Sequence, residues 1–565
     1  MDKVLIQTNK KAPNLFARSL KITAVLIFLM SSLAFVYFIP SFEKAELNQS
    51  GKIQIYYMGN LMDGQALYKD NQLYLPIRFI QEQIDPTLQW DQKEKIAIVT
   101  TNKNVFHFPL GKKEGLLNLD PYNFTYPLIE ENGEIYLPID PIQQYYDLQI
   151  VQLDHSIINI HDLKKPIQQA IVLETTKLRK EPTLRSPWIS EIEQGEEINI
   201  IKEEQGSYWI ETKNGLMGYV DKRFVQLTSI LTNEIKKEIY QPWNPIGSPI
   251  LLTWEYASNK TVNPESIGNL SGLQVVSPTW FHLQKDGLVK NVADKKYVEW
   301  AHKKGYQVWG LFSNSFDAKL TNSMLNDPKL RIKVIKQLLS YVELYQLDGI
   351  NVDFENVYLK DKEELVQFLR ELTPLLHEKG RTVSIDVTVK SLSENWSMFY
   401  DRKKIGEIVD YVMLMAYDEH WATSPKAGSV ASIPWVEKGI KGILEEVPND
   451  KLILGVPFYT RLWKEEIDET GNKKVTSKTF TMEQTKEWIK KNNVEIQYDS
   501  GSGQHYVEKK EGSITYKIWL EDHFSMQKRV ELMKKYRLAG IAAWRRGFEE
   551  KEFWPIFSNF IKKPS

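Results

Sequence analysis

The chain is read as an α/β protein. Its C-terminal half is expected to close as a (β/α)8 barrel with an α+β insertion after strand 7, preceded by two small β-rich domains and an N-terminal transmembrane helix. Three features of the 565 residues predict this. From about residue 245, short apolar runs alternate with helical stretches, the rhythm of a parallel sheet covered by helices. Residues 50–163 repeat a strand–proline–helix–hairpin pattern, and residues 166–228 show short strands about ten residues apart. Residues 22–39 carry no charge over a span close to the minimum for crossing a bilayer.

Residues 1–21 are polar and basic, with Lys3, Lys10, Lys11, Arg18 and Lys21 ahead of the apolar run. A basic flank stays on the cytoplasmic side, so residues 22–39 are expected to be a single-pass anchor with everything after Pro40 outside. A cleaved signal peptide is the competing reading. Against it, no A-x-A site follows, and Phe35, Tyr37 and Phe38 crowd the position where cleavage would fall.

In residues 50–163, Leu73-Tyr74-Leu75-Pro76-Ile77 recurs as Ile135-Tyr136-Leu137-Pro138-Ile139, and Ile96-Ala97-Ile98 recurs as Ile158-Asn159-Ile160 at the same offset. Each copy reads as a strand ending at proline, a short helix, then a hairpin around Trp90 or Leu153. The segment resembles the small stalk-like domain named after the N-terminus of copper amine oxidases. It carries no histidine cluster, so copper is not implied, and a spacer or docking role is expected. In residues 166–228, Leu178–Pro182, Gly195–Ile198, Tyr208–Ile210 and Gly218–Val220 are separated by turn residues. This pattern is similar to bacterial SH3-like domains. Two readings stay open for it: a module that binds cell-wall peptide, and a structural spacer.

The barrel is expected from eight runs: Ile250–Trp254, Leu273–Val276, Gln307–Phe312, Gly349–Glu355, Thr382–Val387, Tyr411–Tyr417, Leu452–Pro457 and Gly540–Trp544. Polar sequence between Trp463 and about Trp519 interrupts the period and marks the insertion. A helix over Asp361–His377 presents Leu365, Phe368, Leu369 and Leu372 on one face. The barrel domain is bounded at residues 245–562.

The fourth run, Leu347 to Asn356, reads L-D-G-I-N-V-D-F-E-N and alternates strictly. Ile350, Val352 and Phe354 face one side, and Asn351, Asp353 and Glu355 the other. Helices cover the apolar face of such a strand, so its polar face points into the barrel. Carboxylates two residues apart on a strand lie about 6–7 Å from each other. Confinement at that distance disfavours a double negative charge, so one proton is retained near neutral pH, as general acid catalysis requires. A solvated edge strand would show the same alternation, and the other strand ends decide between the two. Met413, Met415 and Tyr417 share a face of the sixth strand with Asp418 at its rim; Tyr459 and Arg461 follow the seventh; the eighth ends at Trp544. Acids, a phenol and an indole thus converge at the carboxyl ends of the strands, where barrel enzymes hold their sites. Asp348 is out of parity with Asn351 and is read as fixing the start of the strand.

D-G-I-N-V-D-F-E resembles the fourth-strand signature of glycoside hydrolase family 18, D-G-x-D-x-D-x-E. Met415-Ala416-Tyr417-Asp418 resembles its M-x-Y-D, and Trp544 its eighth-strand tryptophan. The resemblance covers roughly residues 248–560 and is nearest the bacterial cell-wall and spore-cortex group. It implies a mechanism in which Glu355 protonates the leaving oxygen and the 2-acetamido carbonyl of the substrate is the nucleophile. Asp353 holds the acetamido N–H, and Tyr417 donates to its carbonyl. Asp418 and Trp544 position the sugar, and Asn351, Tyr459 and Arg461 complete the expected substrate contacts. Asn351 departs from the family's central aspartate; an amide can hydrogen-bond but cannot trade a proton.

The overall charge of −1 gives no reason to expect nucleic acid. The absence of cysteine excludes disulfides and thiol catalysis, and nine histidines without a paired motif make a metal site unexpected. No cofactor is expected. The expected partner is an N-acetylated cell-wall polysaccharide, with wall peptide through the SH3-like segment and membrane through residues 22–39. Two alternatives remain, a chitinase and a weakly catalytic carbohydrate-binding or wall-scaffold protein.

Overall fold

A computed structural model describes residues 20–30, 40–45, 53–153, 156–231, 240–245, 248–467, 469, 471–551 and 553–562. The chain divides into two compact units, residues 1–86 with 124–237, and residues 87–123 with 238–565. Residues 20–30 are helical, and among the described residues no helix is long and apolar enough to cross a membrane. Residues 31–39 of the expected anchor, and residues 1–19 of the expected tail, lie outside the described residues.

The first unit holds two seven-stranded sheets. In one, the two copies of the repeated strand, Gln72–Pro76 and Glu134–Pro138, pair antiparallel with Leu75 opposite Leu137. Both leucines are fully buried, which explains why the repeat keeps them. The other sheet is antiparallel throughout and runs from Trp188–Ile192 at one end of its order to Val225–Leu231 at the other. Ala170, Val172, Leu178, Ile192, Ile198, Ile210 and Val220 form its core.

The two repeat copies part after their helices. The hairpin Leu148–Leu153/Ile157–Asp162 joins the first unit, whereas Gln89–Asp91/Ile96–Thr100 begins a five-stranded meander ending at Asp120–Asn123 that belongs with the second. There Ile98, Val105 and Leu119 enter the same apolar cluster as the helices of the barrel. The buried Arg331 side chain donates to Glu371, at 3.1 Å, and to Gln89, at 2.8 Å.

The second unit contains the barrel. Its parallel strands are β1 (Ile250–Glu255), β2 (Val275–Pro278), β3 (Gln307–Ser313), β4 (Gly349–Asp353), β5 (Thr382–Thr388), β6 (Tyr411–Met415), β7 (Leu452–Pro457) and β8 (Gly540–Trp544). Each pairs with its sequence neighbour, β8 pairs with β1, and the ring is closed. The sequence expectation of a (β/α)8 barrel therefore holds, strand by strand. Inward-facing Leu252, Trp254, Trp309, Leu311, Tyr411, Met413 and Ile453 fill the interior. Trp309 stacks on Tyr411 at 5.7 Å, and the Tyr411 hydroxyl donates to the Trp243 carbonyl. Outward-facing Ile350, Val352 and Phe354 pack against helix Lys362–Glu378, whose Leu365, Phe368, Leu369 and Leu372 are fully buried. Gly349 is required by close approach, since a Cβ there would lie 2.6 Å from the Thr382 carbonyl oxygen of β5. Asp348 accepts from Val308 N and from His302, both at 2.8 Å, and so anchors the start of β4.

The insertion begins at Tyr459, somewhat earlier than the sequence indicates. It is a five-stranded antiparallel sheet, Tyr459–Ile467, Lys473–Thr481, Gln497–Asp499, Gln504–Glu511 and Ile514–Trp519, with helix Met482–Asn492.

Candidate active site

At the carboxyl ends of the barrel strands lies a cleft of about 970 Å³. Its walls include Asp353, Glu355, Asp386, Tyr417, Asp418, Tyr459 and Trp544, with Tyr256, Trp396, Trp421 and Trp435 as further aromatic faces. The strand geometry dictates the arrangement. Alternation along β4 turns Asp353 inward, and Glu355 follows where the strand has ended.

The backbone that carries Glu355 is held from two sides. The Asn314 side chain, fully buried beyond the end of β3, accepts from Glu355 N at 3.1 Å and donates to the Glu355 carbonyl at 2.7 Å. The Tyr400 hydroxyl donates to the Phe354 carbonyl at 2.7 Å, while Phe354 stacks on Phe368. With both peptide groups around Glu355 tied to one amide, its carboxyl has a defined origin. Asn314→Ala is therefore expected to lower kcat about tenfold or more with little change in KM, because misplacement of about 1 Å can cost about 10²-fold. Steady-state kinetics beside a thermal melt separates this from general destabilisation.

The acids crowd one another. Burial pushes the Asp353 carboxyl up to about 7. Glu355 is held well above the usual carboxylate range, chiefly by burial and then by the charges of Asp353 and Asp418. Asp386 is raised by burial and by Asp353. One oxygen of Asp353, Oδ1, is buried and has no hydrogen-bond donor among the described residues. A buried acceptor left open in this way is costly unless an incoming donor satisfies it. The Tyr417 phenol is also raised, by burial first and Asp386 next, so it stays protonated and able to donate.

Asn351 was expected to meet substrate, but it is fully buried and does not line the cleft. Its Oδ1 accepts from Trp254 at 3.0 Å and Ser277 at 3.1 Å, and its Nδ2 donates to Asp386 Oδ1 at 2.9 Å. The amide is thus a floor beneath the acids. An aspartate there could make the last bond only by sharing a proton with Asp386. Arg461 is likewise buried and sits behind the cleft wall, where its Nη2 donates to Asp418 at 2.8 Å and its Nε to the His420 carbonyl. Tyr459 reaches the cleft while donating to the same Asp418 oxygen at 2.7 Å. Asp418, at φ 61°, is held at the rim by these two donors. Trp544 lines the cleft with its ring 5.9 Å from that of Trp254.

Asp386, Asn314 and the aromatic faces of Tyr256, Trp396 and Trp435 are absent from the residues read off the sequence. Asp386 alone had a signal there: Ser384, Asp386 and Thr388 alternate along β5 as Asn351 and Asp353 do along β4. Among the described residues no cluster of three or more His, Asp or Glu side chains is arranged to hold a metal ion.

Residues 256–549 match the glycosyl hydrolases of family 18, and residues 57–156 the N-terminal domain of copper amine oxidases. A Bacillus subtilis protein named as an uncharacterized glycosylase is 26% identical over 326 residues, 55% of this chain and 92% of that one. The cortical fragment-lytic enzyme of Bacillus anthracis is 28% identical over 290 residues, 50% of this chain and 66% of its own. The solved spore cortex-lytic enzyme of Bacillus megaterium superposes with a TM-score of 0.51 at 22% identity, over 57% of this chain and 79% of that one. At that identity the likeness speaks to the fold.

Proposed function

The chain belongs to glycoside hydrolase family 18, and from that premise we propose that it cleaves β-linked N-acetylglucosamine polymers, peptidoglycan foremost, by a substrate-assisted retaining mechanism. Glu355 gives its proton to the bridging oxygen while the substrate's acetamido oxygen attacks the anomeric carbon. The glycosidic C–O bond breaks, the aglycone leaves as an alcohol, and an oxazolinium ion remains. Water then attacks the same carbon, returns a proton to Glu355 and reopens the acetamide, so configuration is retained. Asp353 accepts from the acetamido N–H, Tyr417 donates to the acetamido oxygen, and Trp544 stacks under the ring. Asp418, fixed by Tyr459 and Arg461, orients the sugar at the point of cleavage.

The observation that carries this reading is the open Oδ1 of Asp353, a buried acceptor next to a protonated glutamic acid in a cleft of aromatic walls. An amide N–H is the donor that an N-acetylated sugar brings to that point. Residues 22–39 are proposed as the anchor and residues 166–228 as the wall contact, with the site outside the cell. Recovery of the protein in the soluble fraction would remove the anchor, and failure of residues 166–228 to be retained on peptidoglycan would remove the contact.

The test uses the full chain, because residues 89–123 pack on the barrel. Incubation with peptidoglycan and chitin oligomers is expected to release reducing ends whose first-formed anomer is β by proton NMR. De-N-acetylated oligomers are expected to be cut at least about 100-fold more slowly, because the nucleophile is missing. Equal cleavage of both, or an α anomer, overturns the mechanism. Cleavage of chitin alone redirects the substrate and leaves the chemistry in place.

A further inference from the structure

The cleft wall carries five acids, Asp353, Glu355, Asp386, Asp418 and Glu419, and neither lysine nor arginine lines it. A cation stands beside this wall. Arg545 directly follows Trp544, and its guanidinium lies 4.9 Å from the ring centre of Tyr256, itself half-exposed in the cleft wall, and 3.9 Å from that of Phe548.

The neighbouring carboxylates are committed elsewhere. Glu255 is buried against Arg546, which donates to it at 2.9 Å. Glu549 accepts from Gly547 N and from Trp554 Nε1. No hydrogen-bond acceptor meets the Arg545 guanidinium among the described residues. Burial pulls its pKa down while Glu255 pulls it back up, and a guanidinium stays charged under either influence. None of its nitrogens is among the buried polar atoms left without a partner, so water reaches them and an anion can take its place, while two aromatic faces hold the guanidinium in position. What its planar fork matches is an equally planar anion, a carboxylate taken by paired N–H bonds.

Resting on the glycan reading above, we infer that Arg545 is a specificity-determining residue that binds a carboxylate borne by the substrate. The cleft then favours an N-acetylated glycan whose sugars carry an acidic substituent, the lactyl ether of peptidoglycan or the peptide joined to it, over the neutral chain of chitin. Those acids of the cleft that ionise disfavour such a substrate, so a cation beside the wall has a compensating task. The direction of the effect is toward binding and selectivity, since Arg545 stands outside the wall that carries Glu355.

The test is calorimetric binding to the full chain carrying Glu355→Gln, so that cleavage is slow beside the titration. Four ligands are compared: the N-acetylglucosaminyl–N-acetylmuramic acid disaccharide with a free lactyl carboxylate, its lactyl amide, the same disaccharide bearing a two-residue acidic peptide, and N,N′-diacetylchitobiose. The acid is expected to bind about 10–100-fold more tightly than its amide, the range for a hydrogen bond to a charged group. In Arg545→Met this ratio falls to within about twofold of unity, and in Arg545→Lys it is intermediate because the fork is lost. A preference confined to the peptide-bearing ligand and lost with Arg545 assigns the anion to the peptide; one for the bare lactyl group assigns it to the sugar. The inference is overturned if the ratio survives Arg545→Met, or if acid, amide and peptide forms bind alike while chitobiose still binds. Loss of binding to all four ligands sinks the glycan reading itself.

Discussion

Glu355→Gln is expected to lower kcat on peptidoglycan or chitin oligomers by about 10²–10⁴ while KM stays within a few-fold, since removal of a general acid costs that much. The substitution keeps the shape of the side chain, and the bonds that hold the residue run through its backbone to Asn314, so the site keeps its form. The proton alone is removed. The pH profile supplies a second reading of the same event. Glu355 is raised by burial and by the charges of Asp353 and Asp418, so it keeps its proton well above the usual carboxylate range. Activity that depends on that proton is present at lower pH and is lost as pH rises through the raised value, and the variant lacks this alkaline limb. Substrates with good leaving groups, such as aryl glycosides, need less protonation and should show a smaller deficit. Equal rates for the two proteins on a natural oligomer would end the acid assignment.

The barrel was legible because each strand carries two signals at once, an apolar outer face and turn residues on either side. Alternation in the run that forms and follows β4 also puts Asp353 and Glu355 on the polar face. Periodicity gives a side but not a depth. Asn351 and Asp353 share that side, yet one lies fully buried beneath the acids and the other reaches the cleft. Arg461 has the same history: it follows a strand end, as a substrate contact would, and is spent on holding Asp418. Asn314 was invisible because its task is done with backbone groups, and an asparagine after a strand is an ordinary turn residue. The repeat was visible, but not that its two hairpins part company. That outcome depends on which apolar surface each meets, and Ile98, Val105 and Leu119 find theirs on the barrel.

Asp353→Asn is expected to cost about 10² in kcat and at the same time to stabilise the folded chain near neutral pH. The loss follows from chemistry: an amide at this position presents a neutral acceptor to the acetamido N–H, and a charged, fixed partner in a dry site is worth about 10²–10³ in rate. The gain follows from linkage. Burial holds the folded carboxyl at about 7, against an ordinary value of 3.8. Between these two values the unfolded chain binds fewer protons than the folded one, so stability falls as pH rises through that window and is unaffected below it. The whole gap is worth up to about 4 kcal/mol, and sharing of protons with Glu355 and Asp386 reduces what a single substitution recovers to about 2–4 kcal/mol. Asparagine carries no such penalty at any pH. Chemical denaturation of the full chain at pH 4 and at pH 7.5, followed on the transition of the barrel, checks this directly. The variant should match the parent at the lower pH and exceed it at the higher one. A variant no more stable than the parent at pH 7.5 would mean that Asp353 already has a partner in solution. Its open oxygen would then not be waiting for the substrate.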